Sequence, residues 1–507
     1  MIDRSVRLET RVLVALSVLL VAYDAARASI MSITYDEAWT YIWHVSGRIG
    51  DVLRFATPGL PDNNHLLLTI LAKFSIGLFG DSDLALRLPS VLAFALFCAA
   101  VAAILRRHLH GPLLVLFFLF TTLNPDVIDM MSIARGYGLG IALATAGIYG
   151  LMRAAEPGVR RAVWASAAVA AFALAVLAHL SLLLLYAMAL VILLAVLLLD
   201  DRHGRIGRSG ALRVAAGPAL ISALLTPVAL MQIHVLAPLG LLNTEGLTSF
   251  FVDTVQKVVA DSLYLDHPMR GAATALCIFV YALPAAGLLL LLLPRRIVPL
   301  SPAARTDLAM LLTLLLGASL LSVAQHHLAG VAYLSGRRAL SLFSPFALLC
   351  ASIAAACRAG SWPLRRIALP ALIAVVLPLT VNFARSANLH RTRDWTFNAD
   401  TKAMLADLAK LRAGPLQAET PDHPARLGIN WVFDAPITYY RIRDRLTEWG
   451  PVDRSGPLGP FDAYYVFAGE LPSVEKVTGP LRVIRQYALS GTILAVPEAS
   501  SLGRSGR

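Results

Sequence analysis

Charge is scarce in this chain. Of its 507 residues only 15% are Asp, Glu, Lys or Arg, against 57% hydrophobic, and the mean hydropathy is +0.67. An ordinary soluble domain carries about a quarter charged residues, so the composition excludes a soluble enzyme and places the bulk of the chain in a bilayer. Cysteine is scarce as well. Cys98, Cys277, Cys350 and Cys357 fall inside apolar runs, with the spacing of neither a zinc site nor a disulfide framework, and are read as packing residues. A single basic patch is also missing. The net charge is +12, yet the cations recur in short clusters between apolar runs, at Arg106/Arg107, Arg160/Arg161, Arg202/Arg205/Arg208, Arg295/Arg296 and Arg365/Arg366. That distribution is a topology signal, with loops kept on the cytoplasmic side, and it excludes nucleic acid as a partner.

What is present is a series of apolar segments near the ~20 residues needed to cross hydrocarbon. They fall at roughly 10–28, 66–80, 88–105, 112–124, 136–152, 162–178, 180–199, 213–231, 271–293, 308–324, 339–357 and 367–384. Arg4, Arg7 and Arg11 before the first segment and Ala25-Ala26-Arg27-Ala28 after it give it the outline of a cleavable signal. The polytopic chain that follows favours an uncleaved first span. Placing 153–161, 200–213, 295–306 and 358–366 inside puts 232–270, 325–338 and everything from 386 outside. The first third closes less simply: cytoplasmic Arg4/Arg7 and Arg106/Arg107 require an even number of crossings, and three segments lie between them. Either 66–80 dips in without crossing or a boundary nearby is displaced. The expectation is a polytopic α-helical membrane domain over 1–385, with about eleven to thirteen spans, and a small extracytoplasmic α/β domain over 386–507.

The external loop 29–65 is chemically unlike its surroundings, holding Asp36, Glu37, His44, Arg48, Asp51, Arg54, Asp62, Asn63, Asn64 and His65. Tyr41, Ile42, Val45, Ile49, Val52 and Leu53 recur at helical spacing, which predicts one amphipathic helix along the membrane surface between Glu37 and Phe55. In the tail, Met404, Leu405, Leu408 and Leu411 predict a helix. The runs 428–433, 463–467, 481–484 and 492–496 predict strands, with 500–507 frayed.

Adjacent acids in Thr34-Tyr35-Asp36-Glu37-Ala38 are the first candidates for chemistry, since a carboxylate beside hydrocarbon can serve as a general base once its ionisation is tuned. Asp36 as the N-cap of the following helix is the compatible structural reading. Arg87 in Leu86-Arg87-Leu88-Pro89 and Arg135 in Ala134-Arg135-Gly136-Tyr137 each begin an apolar segment. They either snorkel at the interface or hold a phosphate in a bidentate fork. Arg337 and Arg338, paired on the outer side against the positive-inside trend, point more to phosphate. His65 stands where the chain re-enters the membrane, suited to donate to a phosphate oxygen or a sugar hydroxyl. His326-His327 are neighbours about 100° apart on a helix, poor geometry for one metal ion. His179 sits at an external hairpin turn, and Asp126 and Asp129 precede Arg135 on the same side. All these polar groups fall on one face of the membrane, as a single outward-facing cleft requires.

The order Tyr35-Asp36-Glu37-Ala38, Asn64-His65-Leu66-Leu67, Ala85-Leu86-Arg87-Leu88-Pro89-Ser90, Ala134-Arg135-Gly136-Tyr137 and Gly336-Arg337-Arg338 resembles the GT-C membrane glycosyltransferases. More narrowly, it is similar to the bacterial branch related to protein O-mannosyltransferases and lipid A aminoarabinose transferases, over roughly residues 8–385. The resemblance implies inverting transfer of a sugar from a polyprenyl-phosphate donor to a lipid, glycan or protein acceptor of the cell envelope, on the outer side of the bacterial plasma membrane. It assigns Asp36 as catalytic base, with Glu37 orienting it or its helix. It matches His65 to a position near the donor phosphate, for which Arg135, Arg337 and Arg338 can supply the cationic charge; Arg87, Tyr35 and Asn64 are read as structural or substrate-positioning. Asn-His-Leu stands at the second entry where a Lys-Pro or similar pair is often found, which leaves the acceptor open. Some branches require a divalent metal and others none, and no ligand set for one stands out here. The rival reading from another class is a transporter or flippase of lipid-linked glycans, expected to carry internal repeats and midplane ionisable residues; no repeat is visible and the acids lie at the outer edge. A noncatalytic subunit is a third reading, against which the Asp36-Glu37 pair argues.

Overall fold

The computed structural model describes residues 2–156, 158, 160–242, 246–264, 272–413, 424–446, 448–452 and 454–498; the tail expected to fray lies outside them. The chain divides into two compact units, one of Met1–Ala25, His65–Leu71 and Arg87–Ala387, the other of Ala26–Asn64, Ala72–Leu86 and Asn388–Arg507. The polytopic helical architecture with a small C-terminal α/β part is the one observed.

The first unit is helical. Among the described residues the chain has nine helices long and apolar enough to cross a membrane, or ten if one bent pair counts as a span, and it is a multi-pass membrane protein. Fewer spans are seen than the eleven to thirteen expected, for three reasons. Leu66–Phe79 has 14 residues, about 21 Å at 1.5 Å per residue, short of the ~30 Å hydrocarbon core. The run at 112–124 forms an 11-residue helix, Pro112–Thr122, which bends by 60° into Pro125–Met131. There Asn124 caps the second helix by accepting from the amides of Asp126 and Val127. Gly136–Ala154 is long enough at 19 residues, but Gly136, Gly138, Gly140, Gly147 and Gly150 dilute its hydropathy.

Those glycines serve close packing. A Cβ on Gly147 would come within 2.7 Å of the Phe172 ring, and one on Gly150 within 2.9 Å of the Ala168 methyl, so this helix lies tightly against Arg161–Ala178, the small-residue mode of membrane helix association. Two ends of the bundle differ in chemistry. At one, Arg107 pairs with Asp307 and Glu156 at 2.7 Å each, while Arg161 pairs with Asp200 and donates to the Ala154 carbonyl. At the opposite ends of these same helices stand Arg135 and His179, about 27 Å away for an 18-residue helix. The four cysteines are buried free thiols.

In the second unit a four-stranded sheet has the order β1-β2-β4-β3, from β1 (Leu427–Ile429), β2 (Ala463–Phe467), β3 (Leu481–Tyr487) and β4 (Thr492–Pro497). β1 runs parallel to β2, whereas β4 is antiparallel to both β2 and β3. The central strands β2 and β4 bury both faces. Tyr465 and Leu494 face a core with Met404, Leu408 and Phe433, while Tyr464 and Val466 face one with Val474 and Ile493, the period of two that a strand imposes. The strand expected over 428–433 stops at Ile429. Asn430 accepts from the Val432 amide and turns Trp431–Phe433 into a 3-10 turn leading to the helix Asp434–Arg443.

The acidic segment belongs to this unit. Asp83, buried, accepts from Tyr439 at 2.9 Å and Tyr440 at 3.2 Å, and pairs with Lys402 at 2.7 Å and with Arg443. The Tyr440 hydroxyl in turn accepts from the Ile33 amide at 2.8 Å. In place of one amphipathic helix there are two pieces, Tyr35–Trp39 running on as a π-helix to Val45, and Ile49–Leu53. The break falls at Ser46-Gly47-Arg48, where the Lys73 ammonium takes up the carbonyls of Val45 and Gly47, satisfying acceptors that a helix end leaves open.

Candidate functional site

In the first unit the chain brings together five of the residues singled out above. His65, Tyr137 and His179 cluster as a trio of mutually tilted rings, with centroids 4.0 Å apart for Tyr137 and His179, 5.1 Å for the two histidines and 5.7 Å for His65 and Tyr137. Arg135 and Arg337 lie over the Tyr137 ring at 5.9 and 5.8 Å, within cation–π range, and Arg337 Nε donates to the Tyr137 hydroxyl at 3.1 Å. Arg338 is the third cation close enough to act on His179. The local sequence dictates this closeness. A Cβ on Gly136 would stand 1.8 Å from the Ala178 carbonyl oxygen and 3.0 Å from the His65 ring, and one on Gly138 would meet the Met130 carbonyl at 2.4 Å. Gly336, before the Arg pair, has φ +52°, a left-handed turn that glycine takes without strain.

His179 stands at the turn between helices Arg161–Ala178 and Leu183–Arg202, where it is half-buried. Burial, and then the charges of Arg135, Arg338 and Arg337, hold its imidazole well below the usual histidine range. Its Nδ1 accepts from the Ser181 amide at 3.2 Å, so the neutral ring carries its proton on Nε2, a ready donor. Arg135 is buried and Arg87 wholly so, which overturns the snorkelling reading for both. Asp126 and Asp129, also buried, sit on Pro125–Met131, and Asp129 accepts from the Tyr264 hydroxyl. The sequence reading passed over Asp24, a fully buried acid of the first span that accepts from Ser132 at 2.6 Å.

An apolar cavity of about 190 Å³ opens in the same unit, lined by Phe120, Phe250, Val259, Phe279, Leu315 and Phe346 among others. Ala339, Leu342 and Phe343, which follow Arg337-Arg338 in the chain, also line it, as does Asn124, the cap of the helix bearing Asp126 and Asp129.

In the second unit the acids have distinct stations. Thr34, not Asp36, is the N-cap: its hydroxyl accepts from the Glu37 amide, and the Glu37 carboxylate accepts from the Thr34 amide at 3.0 Å and hydroxyl at 2.9 Å. That capping box commits the buried Glu37 to its helix and leaves Asp36, half-buried, in the first turn. The Tyr35 amide donates to Asn398 at 2.9 Å and its hydroxyl accepts from Arg454. Asn64 is buried and donates to the Val52 carbonyl at 2.9 Å. Arg454, Asp434 and Trp431, unmarked by any local motif, join Tyr35 here. Burial pushes the Asp434 carboxyl up, against the pull of Arg454, whose Nε lies 3.0 Å from it. Among the described residues no group of three or more His, Cys, Asp or Glu is placed to hold a metal ion. His326 stacks on Tyr333 at 4.0 Å and contacts the Val331 carbonyl at 2.9 Å.

Distant likenesses to solved structures exist. ArnT from Cupriavidus metallidurans in the apo state aligns over 97% of this chain and 98% of its own at 14% identity and a TM-score of 0.44; the same protein bound to undecaprenyl phosphate aligns at 14% and 0.43 over the same shares. Arabinofuranosyltransferase AftD from Mycobacteria aligns over 96% of this chain and 40% of its own, at 13% identity and a TM-score of 0.49. No protein-family model and no curated protein matches the chain. At these levels the likenesses assign this chain no donor, acceptor or reaction.

Proposed function

We propose that the protein is a membrane glycosyltransferase of the GT-C type, transferring a sugar with inversion from a polyprenyl-phosphate donor to a cell-envelope acceptor on the outer side of the bacterial plasma membrane. One observation carries this reading: Arg135, Arg337 and Arg338 gather around two histidines and a tyrosine, and a largely apolar cavity begins at the residue after the Arg pair. An anionic head on a long hydrocarbon tail is the ligand whose two halves match those two environments. The guanidinium groups hold the phosphate through charge-assisted, forked hydrogen bonds. His65 and the Nε2–H of neutral His179 donate to it, and Tyr137 fixes Arg337 in place.

In the reaction, Asp36 accepts the proton of the acceptor hydroxyl as its oxygen attacks the anomeric carbon. The bond from that carbon to the phosphate oxygen breaks, and its electron pair leaves on the lipid phosphate, whose charge the arginines stabilise. A phosphate leaves without the strong general acid that a glycosidase needs, so one carboxylate is enough. Glu37 positions the turn that carries Asp36, Tyr35 and Asn64 support the backbone of the same unit, and Arg87 has a structural or substrate-positioning role in the first unit. The outward orientation follows from the basic end of the bundle, Arg107, Arg153 and Arg161, facing the cytoplasm.

The test is transfer by detergent-purified protein from a panel of radiolabelled polyprenyl-phosphate sugars to a membrane extract. Wild type is expected to label an acceptor, and Asp36→Asn to lose roughly 10²–10⁴-fold in rate while still binding the lipid. Turnover retained by Asp36→Asn sinks the assignment of the base. Lipid binding with no transfer from any donor favours the transport of lipid-linked glycans.

A further inference from the structure

An exposed tryptophan on a rigid turn stands out in the second unit. Trp431 is 50% exposed, yet its turn is fixed on both sides. Asn430 caps it through the Val432 amide and donates to Glu470 at 2.6 Å, and Phe433 is fully buried behind it. The Trp431 ring meets Tyr35 edge-on, with centroids 5.9 Å apart, and Arg454 covers part of it at 5.4 Å. Arg454 also lies over Trp39 at 5.9 Å, and Trp39 stacks on Trp43 at 3.9 Å and meets Tyr35 edge-on at 6.1 Å. The group is locked in place: a Cβ on Gly59 would fall 1.9 Å from the Trp43 ring, and Asp434 holds Arg454 from beneath, at 3.0 Å.

The result is a set of aromatic faces with a polar rim. Its cation is balanced by Asp434, so the platform offers no net charge to attract a bare anion. Its hydrogen-bonding groups surround flat rings, the pattern that suits a ligand with one apolar face and hydroxyls around its edge. A sugar ring is such a ligand, because the C–H bonds on one face pack against the negative face of an indole while its hydroxyls meet the rim. Trp39 lies three residues after Asp36, so the two side chains share one helix face, where such neighbours are about 5–6 Å apart at Cβ.

We propose that Trp431, Trp39, Tyr35 and Arg454 form a carbohydrate platform that seats a sugar ring of the acceptor beside Asp36, which makes the acceptor a glycan. This rests on the reading of Asp36 as the base, and it is tested by binding so that the two can fail separately. Saturation-transfer NMR on the detergent-purified full chain, with neutral disaccharides and methyl glycosides as probes, is expected to show transfer to the C–H protons of one ring face. The signal is expected for wild type and for Asp36→Asn alike. Trp431→Ala, at an exposed position that the fold does not need, weakens binding about tenfold, the scale of one ring-stacking contact, and Trp431→Phe restores part of it. Where transfer is measurable, Trp431→Ala raises the acceptor KM and leaves kcat near wild type. No sugar signal in wild type, or a signal and KM unchanged by Trp431→Ala, overturns the platform while leaving the glycosyltransferase reading standing. One-face binding that depends on Trp431, in a protein that transfers nothing, sustains the platform and sinks that reading.

Discussion

The two units distribute buried charge differently. In the second, cations and acids are matched: Asp83 faces Arg443 and Lys402, and Asp434 faces Arg454. In the first, matching holds at one end of the bundle, where Arg107 and Arg161 meet Asp307 and Asp200. At the other end Arg135, Arg337 and Arg338 come close to His179, whose imidazole is held below the usual histidine range by burial first and by their charge second. Removing one partner of a buried pair leaves an uncompensated charge, so a matched ion is a fastener. On the proposed function, a cluster of cations beside an apolar cavity is where an anion is to be held. The contrast then separates ions that hold the fold from ions that also bind a ligand.

The largest effect is expected where a fastener is broken. Asp83→Ala removes the buried carboxylate shared by Lys402, Arg443, Tyr439 and Tyr440, costing about 3–5 kcal/mol. It is expected to speed proteolysis within 388–498 while polyprenyl-phosphate binding to the first unit persists. Equal loss of lipid binding would show that the two kinds of ion are not separable. Next comes a cation of the cluster. Arg337→Ala is expected to lower transfer about 10²-fold and weaken phosphate binding with little change in melting, and Arg337→Lys to recover only part, having lost the planar fork. Arg161→Ala is the control, lowering the melting temperature without a specific loss of phosphate affinity. Were the two variants to behave alike, the distinction between the bundle's ends would fall.

How far this contrast could be read beforehand depends on the range of the signal. Long apolar runs announce themselves, so most spans, and a helical membrane part followed by a small α/β part, were legible, whereas the grouping of 26–64 and 72–86 with 388–507 was not. Strand β2 was legible for a related reason, since Ala463–Phe467 is buried on both faces and reads as a short apolar run. Leu66–Phe79 declared its shortness and Gly136–Ala154 hid behind its glycines, which is why nine helices, or ten with the bent pair, pass as spans by length and composition among the described residues. The 60° bend after Thr122 left no apolar trace. The Thr34-x-x-Glu37 capping box was there to be read, but attention to Asp36 as the cap obscured it. Arg454 and Trp431 were beyond reach, because no local pattern links position 35 to 431 or 454. The cationic cluster was half legible: its arginines could be named one by one, whereas their meeting at Tyr137 and His179 is tertiary.

A smaller effect sharpens the difference between Asp36 and its neighbour. Glu37→Ala removes one half of the capping box and is expected to cost about 1–2 kcal/mol. Glu37→Gln keeps an N3 side chain able to accept from the Thr34 amide and is expected to retain both stability and most of the transfer rate. Loss of transfer in a fully folded Glu37→Gln protein would instead put Glu37 in the proton transfer and undo the division of labour between the two acids.

The smallest effect belongs to a fastener near the surface. Burial alone would raise the Asp407 carboxyl, yet hydrogen bonds from Lys410, Tyr487 and Arg485 pull it below the usual aspartate range. A carboxylate depressed in the folded state stabilises above its unfolded pKa of about 3.9 and loses that contribution as the pH falls through its folded value. Asp407→Asn is therefore expected to cost about 1 kcal/mol at pH 7, since Lys410 and Arg485 are largely exposed and screened. The gap to wild type is expected to close below pH ~4. A gap that stays constant with pH would mean that shape and packing, rather than the matched charge, make Asp407 a fastener.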